Sequence, residues 1–145
     1  MAKGILERLT NAELKSIISQ AQRVPFEAKQ EIIREGEPNS SLFIVREGEL
    51  HVFCHVRNRR VFLGRLQKGA FFGEVSVLDP GPASATVEGS KKGVLLQLHK
   101  DDFRKLMTDH PGAAVKVLSG MMTVMAARIR SVDQRLRLAF WWGKS

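Results

Sequence analysis

Cysteine is nearly absent from the 145-residue chain, since Cys54 is the only one. A single cysteine cannot form an internal disulfide, and it rules out zinc sites built from several cysteines. Long apolar runs are also missing, because no stretch approaches the roughly 20 residues that a membrane-spanning helix needs. The N-terminus alternates apolar and charged residues and lacks the apolar segment of a signal peptide. We therefore expect a cytoplasmic protein without a membrane segment.

Acidic residues are scarce in two parts of the chain, which has a net charge of +8. Between Glu49 and Glu74 there are five cations and no acid, and from Pro111 onward there are six cations and one acid. Such basic surfaces attract nucleic acids, acidic lipids, acidic proteins or phosphorylated small molecules. No DNA-recognition motif accompanies the charge, so we expect no direct DNA binding.

The sequence also lacks a recognisable catalytic arrangement. The four histidines, His51, His55, His99 and His110, do not have the spacing of metal ligands. No Ser-His-Asp order and no pair of carboxylates stands out. We expect that the protein is not an enzyme and holds no metal.

The first 25 residues have the periodicity of helices. Thr10 followed by Glu13 is a capping-box pattern, which predicts a second helix beginning at Asn11. Pro25 is predicted to end this helical region, because proline cannot donate a backbone hydrogen bond.

The middle of the chain changes to short apolar runs separated by Gly, Pro and Asn, which indicates strands joined by turns. The runs are EIIRE, LFIVREG, ELHVFCHV, VFLGRLQ, ATVEG and GVLLQLH, and RNRR is predicted to be a hairpin tip. Closely spaced turns predict a small antiparallel barrel or jelly roll. The expected class is α+β in one domain over residues 1–145, with N-terminal helices in 1–25, the β-barrel or jelly roll in 26–100 and C-terminal helices in 101–140.

A long helix is predicted from about Gly112 to Phe140. Its apolar residues alternate by three and four positions, which favours a seam between two parallel helices and hence a homodimer. The seam residues are Val115, Leu118, Met122, Met125, Ile129, Val132, Leu136 and Ala139. Packing of the helix on its own barrel is the competing interpretation. A second apolar face suits that packing and consists of Val117, Met121, Val124 and Leu138.

The stretch FFGEVSVLDPGPASATVEG, residues 71–89, has features of an anion site. Gly73 permits positive φ or a close backbone approach, and a short helical turn after it would point free amides at an anion. The Glu74 carboxylate would repel phosphate, so it suits hydroxyl donors such as those of a ribose. After the DPGP turn, Ser84 and Thr86 offer hydroxyl groups. Each of these residues is a weak signal by itself, and only their order and spacing together indicate a particular kind of site.

This order resembles the phosphate-binding cassette of the cyclic nucleotide-binding domain, the sensor of catabolite activators, protein kinase A regulatory subunits and cyclic-nucleotide-gated channels. The family pattern is F-G-E, four or five apolar or small residues, a turn and R-[SA]-A-[TV]-V, which FGEVSVLDPGPASATV follows without insertion. The segments IIREGEPNSSLFIVREGEL, VFLGRLQKGAFFGE and LTNAELKSIISQA also resemble the family. The long helix resembles the family's lid helix, so the likeness covers nearly the whole chain.

The resemblance implies a cyclic nucleotide, cAMP or cGMP, as the ligand. Glu74 would accept from the ribose 2′-hydroxyl, amides of the short helix would bind the phosphate, and Ser84 and Thr86 would add hydrogen bonds. The implied ligand-binding residues are Phe72, Gly73, Glu74, Val75, Ser76, Ala83, Ser84, Ala85 and Thr86. Movement of the C-terminal helix would carry the signal to a protein partner.

The sequence departs from the family pattern at Ala83, where the family has an arginine that pairs with the cyclic phosphate. A guanidinium–phosphate contact is charge-assisted and directional. Its loss is expected to weaken binding by about 2–4 kcal/mol, which is roughly a hundredfold or more in affinity. Backbone amides remain, so binding is weakened rather than abolished.

Three interpretations of this altered cassette remain open. In the first, a substitute cation and an aromatic cap on the base complete the site, and the candidates are Arg65, Arg128, Arg135, Trp141 and Trp142. In the second, the site takes another anion, such as a cyclic dinucleotide. In the third, the domain binds no nucleotide and is an adaptor that binds a protein through its barrel and C-terminal helix.

Overall fold

The computed structural model describes residues 8–73 and 81–143, and beyond residue 127 it describes only the side chain of Arg130. Helices lie at both ends of this part of the chain and strands lie between them. The helices are α1 (Asn11–Gln20), α2 (Lys100–Asp109) and α3 (Pro111–Gly143). The strands are β1 (Gln22–Phe26), β2 (Glu31–Ile33), β3 (Pro38–Asn39), β4 (Ser41–Val56), β5 (Arg59–Leu66), β6 (Phe71–Phe72), β7 (Gly81–Pro82) and β8 (Thr86–His99).

The strands form two sheets in which every pairing is antiparallel. The larger sheet has the order β1-β8-β4-β5, with β2 also paired to β8 and β6 also paired to β4. The smaller sheet consists of β3 and β7. The predicted α+β class and antiparallel jelly roll are confirmed, although the larger sheet stays open and does not close into a barrel.

The capping box predicted before α1 is confirmed. Thr10 Oγ1 accepts a hydrogen bond from the Glu13 amide at 3.1 Å, and Glu13 Oε1 accepts from the Thr10 amide at 2.8 Å. Each side chain thereby satisfies a backbone donor that the first turn of the helix leaves unpaired. The helix therefore begins where the sequence predicts, at Asn11.

The prediction at Pro25 is wrong, because α1 has already ended at Gln20 and Pro25 lies inside strand β1. Strand β1 is the first strand in the sheet order and pairs only with β8 among the described strands. A proline is tolerated in an edge strand because its missing N–H can face away from the neighbouring strand. The sheet therefore includes residues that helical spacing had assigned to the N-terminal helices.

The structure also joins strands that the sequence predicted as separate. LFIVREG and ELHVFCHV form the single strand β4, and ATVEG and GVLLQLH form the single strand β8. The predicted break at Gly48 is an irregularity in the pairing of these two strands. Gly48 has φ +88°, and a Cβ there would lie 2.6 Å from the Lys92 carbonyl oxygen, so glycine keeps the bent strands paired. The hairpin tip at RNRR is confirmed, since Arg57 and Asn58 both have positive φ.

Two apolar clusters lie on opposite faces of the larger sheet, because alternate residues of β4 and β8 point to opposite sides. The helix-side cluster contains Ile17, Leu42, Ile44, Phe71, Leu96, Leu98, Phe103, Leu106, Ala113, Ala114, Val117 and Met121. The strand-side cluster contains Phe26, Ile33, Phe43, Val45, Leu50, Leu66, Phe72, Val87 and Leu95. The first holds the three helices on the sheet, and the second fills the space that the candidate site borders.

Helix α3 packs on its own domain through part of its predicted second face. Val117 and Met121 are buried in the helix-side cluster, and Val124 packs against it. The side chain of Leu138 lies outside the described residues. Lys116 of the same helix bonds Glu13 of α1, with Nζ 2.6 Å from Oε1. The hydrogen bond from Lys116 is the main cause that lowers the pKa of the Glu13 carboxyl below its usual range.

Candidate functional site

Gly73 follows β6 and opens the candidate cassette, defined here as residues 73–86. It has φ +78°, and a Cβ at this position would lie 2.3 Å from the Ser41 carbonyl oxygen and 3.0 Å from Asn39 Nδ2. Both the left-handed backbone and the lack of room require glycine here. Three predicted ligand contacts, Glu74, Val75 and Ser76, lie outside the described residues.

Asn39 holds the chain on both sides of residues 74–80. Its backbone pairs with Gly81 in the sheet of β3 and β7. Its side chain bonds Ser41 twice, since Nδ2 donates to the Ser41 carbonyl at 3.0 Å and Oδ1 accepts from the Ser41 amide at 3.2 Å. The same carbonyl leaves no room for a side chain at Gly73. One asparagine therefore positions both the entry to this segment and the exit from it.

Ala83 lies just after β7, and its backbone is fixed by two hydrogen bonds. The Ala83 amide donates to the Glu37 carbonyl at 2.9 Å, and the Gly36 amide donates to the Ala83 carbonyl at 2.8 Å. Its side chain is half-buried and packs against the strand-side cluster. Position 83 thus faces the interior that borders the cassette, but it presents a methyl group and no charge.

The three residues after Ala83 differ in what they offer to a ligand. Ser84 is exposed and Ala85 is half-buried. Thr86 is buried, and its Oγ1 accepts a hydrogen bond from the Glu35 amide at 3.0 Å. This bond holds the turn at Glu35, and the next two residues of that turn, Gly36 and Glu37, bond the backbone of Ala83. Of the two predicted hydroxyl groups, only that of Ser84 faces solvent.

Phe72 was predicted as a ligand contact, but the structure places it in the core. It is buried and stacks on Phe43, with ring centroids 4.9 Å apart and an interplanar angle of 13°. Stacked aromatic rings at this spacing pack favourably. The contact fixes the end of β6, so Phe72 positions Gly73.

Arg65, a predicted substitute cation, is exposed, and its backbone lies opposite His51 in the pairing of β5 with β4. The next residue, Leu66, is buried in the strand-side cluster, which also contacts Ala83. Because successive side chains of a strand point to opposite faces, Arg65 lies on the far face from Ala83. This placement argues against Arg65 as the phosphate cation. The side chains of the other candidates, Arg128, Arg135, Trp141 and Trp142, lie outside the described residues.

An aromatic group that was not predicted lies on the outer face of β4 and β5. Phe53 and Phe62 pack edge to face with centroids 5.7 Å apart, and His51 packs on Phe62 at 5.2 Å. The Arg60 guanidinium lies 3.5 Å from the centre of the Phe53 ring, which is a cation–π contact. The alternation of His51, Phe53 and His55 along β4 was the available signal, since it places all three on one face.

A buried carboxylate, Glu49, was also overlooked. It accepts hydrogen bonds from Gln67 Nε2 at 3.0 Å and from Ser90 Oγ at 3.2 Å, and His51 Nε2 lies 3.3 Å from it. The bond from Gln67 is the main cause that lowers the pKa of the Glu49 carboxyl. Its oxygens are satisfied by neighbours in the sheet, so Glu49 stabilises the bend beside Gly48.

The predicted dimer seam on α3 is only partly described. Val115 and Met122 are 59% and 69% exposed, while Leu118 is half-buried and packs against the helix-side cluster. Met125 is half-buried. The side chains of the remaining seam residues, Ile129, Val132, Leu136 and Ala139, lie outside the described residues. An apolar stripe is therefore open to solvent at the start of the helix.

The described residues contain neither a group of metal ligands nor a membrane-spanning helix. In that part of the chain, no three side chains of His, Cys, Asp or Glu come close enough together to hold a metal ion. None of its helices combines the length and the apolar character needed to cross a bilayer.

Residues 23–110 match the family model described as the cyclic nucleotide-binding domain. The chain belongs to the cyclic nucleotide-binding domain family. The match runs from β1 to the end of α2, so it includes both flanks of the cassette. The resemblance stated from the sequence is confirmed, and no further family domain, such as a DNA-binding domain, is matched in this sequence.

Relatives of this cyclic nucleotide-binding domain include potassium channels and regulatory proteins. A CRP-like cAMP-activated global transcriptional regulator of Mycobacterium tuberculosis is 24% identical over 92% of this chain and 58% of its own length. A cAMP-dependent protein kinase regulatory subunit of Neurospora crassa is 32% identical over 71% of this chain and 26% of its own. The crystal structure of the Thermus thermophilus catabolite activator protein superposes with a TM-score of 0.80 at 27% identity, covering 92% of this chain and 62% of that one. The chain thus spans less than two thirds of these relatives.

Proposed function

We propose that this domain is a regulatory sensor that binds cAMP or cGMP with an altered phosphate contact and signals through α3. The observation that carries the proposal is the fixed backbone on both sides of residues 74–80. Gly73 is confined by Ser41, and Gly81 is paired with Asn39. Fixed flanks restrict the conformations open to the chain between them, which lowers the ordering cost of binding an anion.

The proposed roles follow the family motif. Glu74 accepts from the ribose hydroxyl, the amides after it bind the phosphate, and Ser84 supplies an exposed hydroxyl. Thr86 supports the flank of the site, because its oxygen accepts from the Glu35 amide, and its O–H can still donate to a ligand. The methyl group of Ala83 cannot pair with phosphate, so the affinity rests on neutral donors or on a cation from the C-terminal part of α3.

Signalling is proposed to occur by a shift of α3 against the sheet. Val117 and Met121 seat the helix on the helix-side cluster, whereas Val115 and Met122 remain exposed. A ligand that favours one packing of α3 over another shifts the population between the two. The exposed stripe is the surface through which we expect a second copy to pair with the helix.

A second candidate function is that of an adaptor which binds a protein partner and no nucleotide. The observation in its favour is Ala83, whose side chain packs with apolar neighbours where the family motif has a cation. The framework of the cassette would then be maintained by folding alone. The two functions differ in one measurable property, which is affinity for a cyclic nucleotide.

Isothermal titration calorimetry against cAMP, cGMP and cyclic di-GMP separates these functions. We expect measurable binding of one cyclic mononucleotide, strengthened in Ala83→Arg by roughly a hundredfold, because about 2–4 kcal/mol of charge pairing is added. Ala12→Arg, which adds the same charge at an exposed position of α1, is the matched control and should bind as the natural protein does.

The other outcomes of this titration decide between the alternatives. No binding by the natural protein, with binding by Ala83→Arg, supports the adaptor and rejects the sensor. No binding by either protein rejects the nucleotide site altogether. Binding of cyclic di-GMP alone would replace the mononucleotide with a cyclic dinucleotide as the ligand.

A further inference from the structure

Strand β5 leaves one edge of the larger sheet open. It is the last strand in the sheet order and pairs only with β4 among the described strands. It runs for eight residues, Arg59–Leu66. An unpaired edge presents a row of backbone N–H and C=O groups that another extended chain can pair with.

The opposite edge of the sheet contains a proline, whereas β5 does not. Strand β1 is shorter, with five residues, and carries Pro25. A proline in an edge strand interrupts the row of donors and discourages pairing. Strand β5 contains no proline and no acidic residue. The features of β5 that restrict which strand can be added are its three arginines and the bulge at Leu63.

The side chains of β5 are unusually apolar for an exposed strand. Phe62 and Leu63 are 50% and 53% exposed, and Val61 beside them is also exposed. Val61 lies opposite Cys54 and Phe62 lies opposite Phe53, so these two apolar side chains project from opposite faces of the strand. The edge thus offers both backbone pairing and apolar contacts to an incoming strand.

Arginines on β5 select the charge of the partner. Arg60 pairs with Glu88 and packs on Phe53. In the described part of the chain, no carboxylate lies within 4 Å of the guanidinium groups of Arg59 and Arg65, and both residues are exposed. Two positive charges near the ends of the strand favour glutamate or aspartate on the strand added beside it.

The same arginines argue against a second copy of this chain on the edge. Antiparallel pairing of two β5 strands about their centre would place Arg60 of each copy opposite Arg65 of the other. Parallel pairing would place each arginine beside its own counterpart. Like charges opposite each other on neighbouring strands are destabilising. Charge therefore favours an acidic partner strand.

We propose that the β5 edge binds, by strand addition, an extended acidic segment of another protein with apolar side chains at alternate positions. Backbone hydrogen bonds would supply affinity, and the alternate side chains would supply specificity. Arg65 lies opposite His51 and Arg59 lies opposite Val56, so the two arginines project from opposite faces of β5. Glutamates on the face of the added strand that is shared with Phe62 would lie near Arg65, and apolar residues on its other face would lie near Val61. The proposal does not require that a nucleotide binds.

Fluorescence anisotropy with a labelled peptide of alternating glutamate and valine tests this proposal. We expect saturable binding that is lost when alternate backbone amides of the peptide are N-methylated, because strand addition needs those donors. We also expect Arg59→Glu combined with Arg65→Glu to weaken binding by about tenfold or more and to confer binding of a lysine–valine peptide. The matched control is Arg104→Glu combined with Lys105→Glu, two exposed cations of α2, which should bind as the natural protein does.

Three results would overturn the proposal. Equal binding of the N-methylated peptide would exclude strand addition, and this test needs no protein variant. Equal weakening by the α2 control would show that general positive charge, not the β5 edge, binds the peptide. The third result comes from sedimentation velocity. If the natural protein is a dimer and Leu63→Glu dissociates it, a second copy of the chain occupies the edge.

Discussion

The two flanks of residues 74–80 are held by different physical means. On the entry side, Gly73 is confined by steric contact with the Ser41 carbonyl. On the exit side, Ala83 is held by backbone hydrogen bonds to the turn at Gly36 and Glu37. Neither flank uses the side chain of residue 83. The backbone on both sides of the candidate cassette is therefore held by contacts that need no charged side chain at position 83.

The largest expected effect on stability comes from adding a side chain at Gly73, the sterically confined flank. Gly73→Ala should lower the free energy of unfolding by about 3 kcal/mol, because it adds a strained positive φ and a clash with a carbonyl oxygen. Urea unfolding followed by circular dichroism measures this change. The matched control is Gly64→Ala, where an added Cβ meets no atom within 4 Å, and it should shift stability by less than about 1 kcal/mol. Equal effects of the two substitutions would show that Gly73 is not sterically confined.

A smaller effect is expected from weakening the hydrogen-bonded flank. Thr86→Val keeps the shape of the side chain but removes the oxygen that accepts from the Glu35 amide. The part-buried amide is then left without its partner, which should cost about 1–2 kcal/mol of stability. Ser84→Ala, at an exposed position, should change stability by less than about 0.5 kcal/mol and so serves as the control in the same urea titration. A Thr86→Val protein as stable as the natural one would remove the supporting role assigned to Thr86.

The smallest effect is expected at a contact remote from both flanks, between Glu13 of α1 and Lys116 of α3. Because the folded protein lowers the pKa of Glu13, this contact contributes stability at neutral pH and loses it as the pH falls through the lowered pKa. The natural protein should therefore lose more stability than Glu13→Gln between neutral pH and about pH 3. Urea midpoints at both pH values measure the difference, and identical pH dependence would show that the pair does not stabilise the fold.

Much of the fold could be predicted from local sequence signals. The capping box at Thr10, the hairpin tip at Arg57 and Asn58, and the long C-terminal helix all depend on residues close together in the chain. The end of α1 and the joining of β4 and β8 could not be predicted in this way. Strand continuity through Gly48 depends on Lys92 in a distant strand, and Pro25 became acceptable only because β1 lies at an edge.

The candidate site, like the fold, could be predicted only in part. The motif F-G-E, followed by a turn and S-A-T-V, identified the family cassette, and the missing cation at Ala83 could be seen directly in the sequence. The roles of Phe72 and Thr86 could not be seen, because both depend on partners far away in the chain, Phe43 and Glu35. A threonine or a phenylalanine looks the same in the sequence whether its side chain faces a ligand or the core.

The sequence by itself determined the family, the presence of helices near both ends of the chain and the absence of an arginine at position 83, because short motifs and periodicity encode these directly. Only the tertiary structure decided which face of β5 carries Arg65, that Asn39 holds both flanks of residues 74–80, and that β5 has an open edge. These properties arise from strand order and pairing between distant segments. No local pattern specifies such pairing, since the buried contacts that select it form only when the chain folds as a whole.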